Sequence, residues 1–332
     1  LRVCPSIKNV ILLSVDYNAF ALEHIKTTCG RNAFDSTWSK QVPSDIEDTD
    51  QQRLVKRIVG GTTSEPGQWP WMASLMFHQT KEEAQREILA SNATSPPSLV
   101  VNFKDGSRMF HLCGATLIHP RWLLSAAQCF KPAEPFTYLS TDPRRWIIQL
   151  GTPHLVHNHT IYWKFRPQKI FLHPQFQGTG DAGDISLIKL PRAIPMSALV
   201  NVACLPNPEM EVTPETECYS LGWDASNISV QLRHVRLRFV PHDKCNQIYK
   251  PLVPGVGDED VIVDSMFCAG HPEGGRDACH FDSGGPYMCK HEEQWFVTGI
   301  IAFGKGCGQP KYPGVYVRVS SYAGWIEHIV TT

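Results

Sequence analysis

From Ile58 onward, short apolar runs rich in β-branched and aromatic residues recur between turn residues. They span Trp71–Phe77, Trp146–Leu150, Ile161–Phe165, Trp295–Phe303 and Val315–Val319, with Gly, Pro and Asn/Asp clusters between them. Such spacing predicts an all-β domain of the sandwich or barrel type. At the C-terminus, Tyr322, Trp325, Ile326 and Ile329 fall at i, i+3, i+4 and i+7, which predicts one amphipathic helix. Residues 81–90 suit a second, short surface helix. Ahead of Ile58 the pattern fades. Residues 30–57 are polar, with Asp45, Glu47, Asp48 and Asp50 clustered, and predict an exposed linker. No internal repeat or low-complexity tract interrupts the chain.

Composition narrows the class. Gly 24 and Pro 25 in 332 residues suit a loop-rich β protein, and 42% hydrophobic content suffices for a packed core. The net charge of −1 argues against nucleic-acid binding driven by bulk charge. No apolar run approaches the roughly 18 residues of a membrane helix. Leu1 in place of Met, with no signal peptide, predicts a processed or truncated product. Eleven cysteines, with no CxxC pair and no Cys/His cluster at zinc spacing, predict disulfides made in an oxidising compartment. The odd count leaves at least one cysteine paired outside the chain or free.

Four strings carry the chemistry. Ile58-Val59-Gly60-Gly61 follows the basic pair Lys56-Arg57, a candidate cleavage point in an exposed segment. Cys113-Gly114 precedes Leu123-Leu124-Ser125-Ala126-Ala127-Gln128-Cys129. Asp184-Ile185-Ser186-Leu187-Ile188 lies mid-chain, and Asp282-Ser283-Gly284-Gly285-Pro286 can project a serine hydroxyl from a tight turn. With Gly222-Trp223, Met266-Phe267-Cys268-Ala269-Gly270 and Gly314-Val315-Tyr316, the sequence resembles the trypsin/chymotrypsin-like serine proteases over residues 58–332. The resemblance implies two six-stranded antiparallel β-barrels with a C-terminal helix. It divides the chain into a propeptide or linker segment, 1–57, and a protease-like domain, 58–332. Because a fold does not guarantee an activity, each site residue is judged separately.

The nucleophile position matches Ser283 and the orienting aspartate Asp184. The general-base position, histidine in the family, is Gln128. A serine needs a base to take its proton during attack, and an amide has no useful basicity. Gln128 can hydrogen-bond to Ser283 and Asp184, but it cannot accept and return a proton. Phe281 stands where the family has an oxyanion-hole glycine, whose N–H works with that of Ser283. The phenyl side chain is expected to tilt that amide or to lie over Ser283. His280 is the nearest candidate for a substitute base.

The specificity pocket points the other way. Asp277 matches the floor acid of enzymes that accept Arg or Lys, and Gly304 and Gly314 match the wall glycines. Ala278, Ala302 and Phe303 replace the commoner Ser, Ser and Trp. The resemblance implies cleavage at Arg57, insertion of the freed Ile58 amine and its pairing with Asp282. It also implies the disulfides Cys113–Cys129, Cys218–Cys289, Cys245–Cys268, Cys279–Cys307 and Cys29–Cys204. Cys4 would then pair outside the chain, with Cys4–Cys29 as the alternative. Insertions at 78–110 and 131–145 border the cleft as exosite, cover or loose loop. Asn92, Asn158 and Asn227 head glycosylation sequons. Arg233, Arg236 and Arg238 suit a solvated strand face. Neither a metal nor a cofactor is expected.

The expected function is a secreted serine-protease homologue without catalysis, a binding or regulatory module. Its partner would be a protein, a basic peptide or an inhibitor at the cleft, and its activator a trypsin-like protease. The alternatives are an active endopeptidase cutting after Arg or Lys, and a structural C-terminal domain of a mosaic protein.

Overall fold

The computed structural model describes residues 29–32, 34, 60–90, 100–131, 137–155, 163–223, 231–253, 260–279 and 281–332. In chain order, the first half holds β1 (Thr62–Thr63), β2 (Met72–Gln79), helix α1 (Lys81–Ala90), β3 (Val100–Asn102) and β4 (Arg108–His119). It continues with β5 (Trp122–Ser125), β6 (Trp146–Leu150), β7 (Trp163–Phe165), β8 (Lys169–Leu172) and β9 (Ser186–Lys189). The second half holds β10 (Cys218–Gly222), β11 (Arg233–Arg236), β12 (Arg238–Val240), helix α2 (His242–Tyr249) and β13 (Met266–Gly270). It ends with β14 (Pro286–His291), β15 (Gln294–Phe303), β16 (Gly314–Arg318) and helix α3 (Ala323–Thr331).

The strands form two antiparallel sheets. One runs β7-β6-β2-β4-β5-β9-β8, with β3 added alongside β4; the other runs β1-β11-β10-β14-β15-β16-β13-β12. The end strands β7 and β8 of the first sheet are successive pieces of one run, as are β11 and β12 in the second, broken only at Leu237. A run that sits at both ends of its own sheet requires the sheet to curl round on itself, which strand twist and coiling permit. With each split run counted once, and β1 and β3 set aside, six runs remain in each sheet. Hence the all-β double-barrel class holds.

Each barrel buries its own aromatic core. In the first, Phe77 packs edge-on against Trp146 at 4.9 Å, and Phe130 lies 4.7 Å from Trp146. In the second, Phe267 stacks on Tyr316 and Tyr287 closes the group at 5.1 Å from Tyr316. The barrels meet through glycines. Gly114 N–H donates to the Ser283 carbonyl at 2.9 Å, and a Cβ on Gly114 would fall 2.7 Å from Gly285 Cα. A side chain at Gly114 would push the two backbones apart, so this contact fixes the height of Ser283 against the first barrel.

Helix α3 buries Ile326, and just ahead of the helix Tyr322 accepts a 2.7 Å hydrogen bond from Gly183 N–H, next to Asp184. The C-terminal segment thereby braces the loop that carries this carboxylate. Disulfides join Cys29–Cys204, Cys113–Cys129, Cys218–Cys289, Cys245–Cys268 and Cys279–Cys307. The Cys29–Cys204 link spans 175 residues, and Gly30 exchanges backbone bonds with Val202 and Trp295, so residues 29–32 lie against the barrel.

The described part of the first insertion is ordered structure. Thr80 caps α1: Glu83 N–H donates to Thr80 Oγ1 at 3.3 Å, and Thr80 N–H donates to Glu83 Oε2 at 2.9 Å. This reciprocal capping box satisfies two donors that the first turn would leave open. Glu87 accepts from Arg108 at 2.8 Å, from Gln79 at 2.6 Å and from Tyr138 of the second insertion at 2.9 Å. Arg145 reaches Glu83, and Tyr138 stacks on Phe77. The two insertions therefore form one connected unit on the first barrel. Residues 91–99 and 132–136 lie outside the described residues.

Candidate active site

Ser283 sits in the turn between Asp282 and β14, where Gly285 N–H bonds back to the Asp282 carbonyl at 2.9 Å. Gln128 follows β5, and Asp184 lies two residues ahead of β9. Since β5 and β9 are paired, Ser125 opposite Ser186, their adjacent ends bring these two residues together. The spacing in sequence could not have shown this.

The Gln128 side chain takes neither Ser283 nor Asp184 as its partner. Its Nε2 donates to the Ala302 carbonyl at 2.6 Å, and its Oε1 accepts from Thr179 Oγ1 at 3.0 Å. Only its backbone N–H reaches Asp184, at 2.8 Å to Oδ1. Both ends of the amide are thus satisfied away from the serine. Ala302 presents this carbonyl because it is skipped in the β15–β16 register, which shifts between Ile301 and Phe303. Thr179 had no signal in the sequence: it is 51 residues from Gln128 and belongs to no motif.

Asp184 is 1% exposed, and its Oδ2 has no hydrogen-bond partner. Burial pushes its pKa up to about 7, against the opposing pull of the Gln128 and Ala127 N–H groups. The carboxylate thus faces a backbone amide and not a side chain. Among the described residues Ser283 Oγ makes no hydrogen bond.

Phe281 carries a backbone φ of 70°, a left-handed conformation costly for a residue with a Cβ. Its carbonyl accepts from His111 Nε2 at 3.0 Å. A carbonyl can only accept, so the proton is on Nε2, and Nδ1 must take the 2.7 Å bond from Ser74 Oγ. His111 is fully buried, which lowers its pKa to about 4 and keeps the ring neutral. The Phe281 ring does not lie across the Asp277 pocket. It lines a separate cavity of about 230 Å³ with Leu112, Leu139 and the Cys113–Cys129 disulfide. Gln128 and Ser283 line both cavities, so these two residues stand at the boundary between them.

The other cavity, also about 230 Å³, is lined by Asp277, Ala278, Ala302, Phe303, Gly304 and Gly314, among others. Asp277 is 3% exposed; its Oδ2 accepts from Gly308 N–H at 3.0 Å, while Oδ1 has no partner. Burial raises its pKa to about 7. A Cβ on Gly314 would come within 3.0 Å of Asp277 Oδ1, so glycine leaves room beside the floor carboxyl on that wall. An orphaned carboxyl oxygen at the bottom of an open pocket suits a cationic side chain. Asp282 lies behind the serine, accepting from Cys279 N–H, and a Cβ on Gly222 would fall 1.9 Å from its Oδ1.

Arg57, Ile58, His280, Cys4 and the sequon residues Asn92, Asn158 and Asn227 lie outside the described residues. Among the described residues, no group of three or more His, Cys, Asp or Glu could hold a metal ion, and no helix is long and apolar enough to cross a membrane.

Comparison with known proteins agrees with the double barrel. The family model described as Trypsin matches residues 58–326. Among curated proteins, a tryptase from Mus musculus is 33% identical over 282 residues, covering 82% of this chain and 88% of the relative.

Proposed function

The chain belongs to the trypsin family, and we propose that it is a secreted, non-hydrolytic member acting as a binding or regulatory module. The observation that carries this reading is the placement of Gln128, whose amide is held by Ala302 and Thr179 and offers Ser283 no proton acceptor. Removing the triad histidine costs about 10⁶ in kcat in subtilisin. The strained Phe281 adds a second departure in the neighbouring oxyanion position.

In this reading residues 58–332 form the protease-like domain and 1–57 its propeptide or linker. Cleavage after Arg57 by a trypsin-like protease frees Ile58 to pair with Asp282. Cys29–Cys204 then keeps the N-terminal piece attached, and Cys4 pairs outside the chain. Glycans at Asn92, Asn158 and Asn227 accompany the secretory route. The ligand is a protein, basic peptide or inhibitor whose Arg or Lys enters the pocket over Asp277. No nucleic acid or cofactor takes part.

One observation favours an active endopeptidase: Asp277 lies at the foot of an open pocket with a carboxyl oxygen unpartnered. The deciding experiment is hydrolysis of a small arginyl ester after cleavage at Arg57, alongside Ser283→Ala. No turnover above the Ser283→Ala background is expected. Turnover abolished by Ser283→Ala would overturn the non-hydrolytic reading and direct attention to His280 as base. Binding of a basic inhibitor through Asp277 separates the module from a purely structural domain.

A further inference from the structure

We propose that the outer wall of the first barrel, built by β5, β8 and β9, is a docking surface for a sulfated polysaccharide. The basis is a segregation of charge that the whole-chain balance hides. The chain as a whole has a net charge of −1. Residues 143–206 carry seven Lys/Arg against two acids, Asp181 and the buried Asp184; Arg144 and Arg145 pair with Asp142 and Glu83, which leaves Lys164, Arg166, Lys169, Lys189 and Arg192.

Strand pairing gathers part of this charge. Lys169 on β8 is directly opposite Lys189 on β9, and Lys189 is directly opposite Trp122 on β5. Directly paired residues of an antiparallel ladder project to the same face, so the two ammonium groups share one surface. Like charges so placed are destabilising. Among the described residues none of Arg121, Lys169, Lys189 or Arg192 forms an ion pair.

Aromatic rings hold these cations in place. Lys189 Nζ lies 4.9 Å from the Trp122 ring and Lys169 Nζ 4.6 Å from that of Phe171, while the two rings are 5.6 Å apart. Arg192 covers Trp163 and Phe165, its guanidinium 5.8 and 5.6 Å from their centres. Arg121 is tied across the end of β9 by bonds to Gln168 Oε1 and the Leu190 carbonyl. Arg121, Lys169 and Lys189 therefore lie on the β5–β8–β9 wall, Arg192 lies over β7, the strand that leads into β8, and Arg166 is joined to the Arg144 carbonyl.

A fixed cationic row without acidic partners fits a linear polyanion. The rings are already occupied by cations, which leaves no free stacking platform of the kind that single-stranded nucleic acids use. Five disulfides fit an oxidising compartment outside the cytosol, where sulfated polysaccharides are the polyanions at hand. The choice of ligand source thus rests on the secreted reading above. The surface also lies away from the cleft. Gln128 and Asp184 are at one end of the β5–β9 pair, and Arg121 and Lys189 are at the other. A polysaccharide bound there would leave the pocket over Asp277 open.

The test is binding of the purified full chain to immobilised heparin at increasing salt. We expect retention beyond physiological ionic strength. The triple variant Lys169→Gln/Lys189→Gln/Arg192→Gln should bind about tenfold more weakly, and Arg236→Gln/Arg238→Gln within about twofold of the parent. Lys169→Glu separates binding from folding: it sets opposite charges across the ladder, so Tm should hold or rise while heparin affinity falls. Unchanged affinity in the triple variant, an equal loss in Arg236→Gln/Arg238→Gln, or full affinity in Lys169→Glu would overturn the surface. Equally tight binding of duplex DNA or phosphatidylserine vesicles at the same ionic strength would overturn the assignment to a sulfated polysaccharide. Arginyl-ester turnover is read separately, so an active enzyme that binds heparin would refute only the non-hydrolytic reading.

Discussion

Gln128 meets Asp184 through its backbone: the N–H lies 2.8 Å from Asp184 Oδ1, while the side-chain amide turns away to Ala302 and Thr179. The fold has kept the strand pairing that brings the two positions together. The Gln128 side chain gives the carboxylate no hydrogen bond, and Ala302 has no hydroxyl to give one. Asp184 Oδ2 is consequently orphaned in the interior.

That orphan should be visible in the pH dependence of stability. Burial raises the folded-state pKa of Asp184 from 3.8 to about 7. The native state then holds this proton more tightly than the unfolded chain. The contribution is fully present below about pH 4 and is lost as pH rises to about 7. Asp184→Asn removes this titration, so its Tm advantage over the parent should grow from pH 4 to pH 7 and level off above. Thermal unfolding at several pH values checks this; a parent–variant difference independent of pH would contradict it. His111, whose folded pKa is lowered to about 4, gives the opposite slope in both proteins and cancels in the difference.

Gln128→His places a titratable ring at the position between Asp184 and Ser283. If the missing base is the main lesion, cleaved Gln128→His should hydrolyse an arginyl ester in a Ser283-dependent way. If Phe281 also disables the oxyanion site, activity should appear only when Phe281→Gly is added. A steady-state assay of the two variants distinguishes these outcomes.

Phe281 itself offers a stability test. At φ 70° glycine is unstrained and alanine is not. Phe281→Ala and Phe281→Gly both remove the ring that packs against the core, so their difference isolates the backbone. Phe281→Gly should be the more stable by about 1 kcal/mol, measured by denaturant unfolding. The reverse order would show that the left-handed conformation is not retained.

Binding of a small arylamidine should depend on Asp277 and on pH. The empty pocket holds Asp277 with a pKa raised to about 7, and a cation pairs with the ionised form. Affinity should therefore rise as pH increases from 5 to 8 and largely vanish in Asp277→Asn. Calorimetric titration across that range is the check.

The insertion unit depends on Glu87. Arg108 is 7% exposed and pairs with Glu87, so Glu87→Ala would leave a buried guanidinium without its carboxylate. A loss of about 3 kcal/mol is expected. Thr80→Ala removes only the helix cap and should cost about 1 kcal/mol. Urea unfolding, with hydrogen exchange over residues 81–87, separates the two.

The class of this protein is legible in its local sequence. Alternating apolar runs and turn residues marked strands such as Trp146–Leu150, the 3.6-residue period marked the last helix, and local strings marked Ser283, Asp184 and Gln128. These are short-range signals, written within a few residues of one another. What the amide of Gln128 would do was not written there. Its partners, Ala302 and Thr179, lie 174 and 51 residues away, and they meet it only because a bulge and a loop converge on the cleft. Likewise, Phe281 was recognisable as a misfit, but its left-handed backbone, its carbonyl's bond to His111 170 residues away and the cavity its ring lines appear only in the fold. The charge of the barrel wall was diluted in a balanced composition until the β8–β9 register set Lys169 opposite Lys189. Side-chain partners are chosen by long-range packing, and packing is settled only when both barrels have closed.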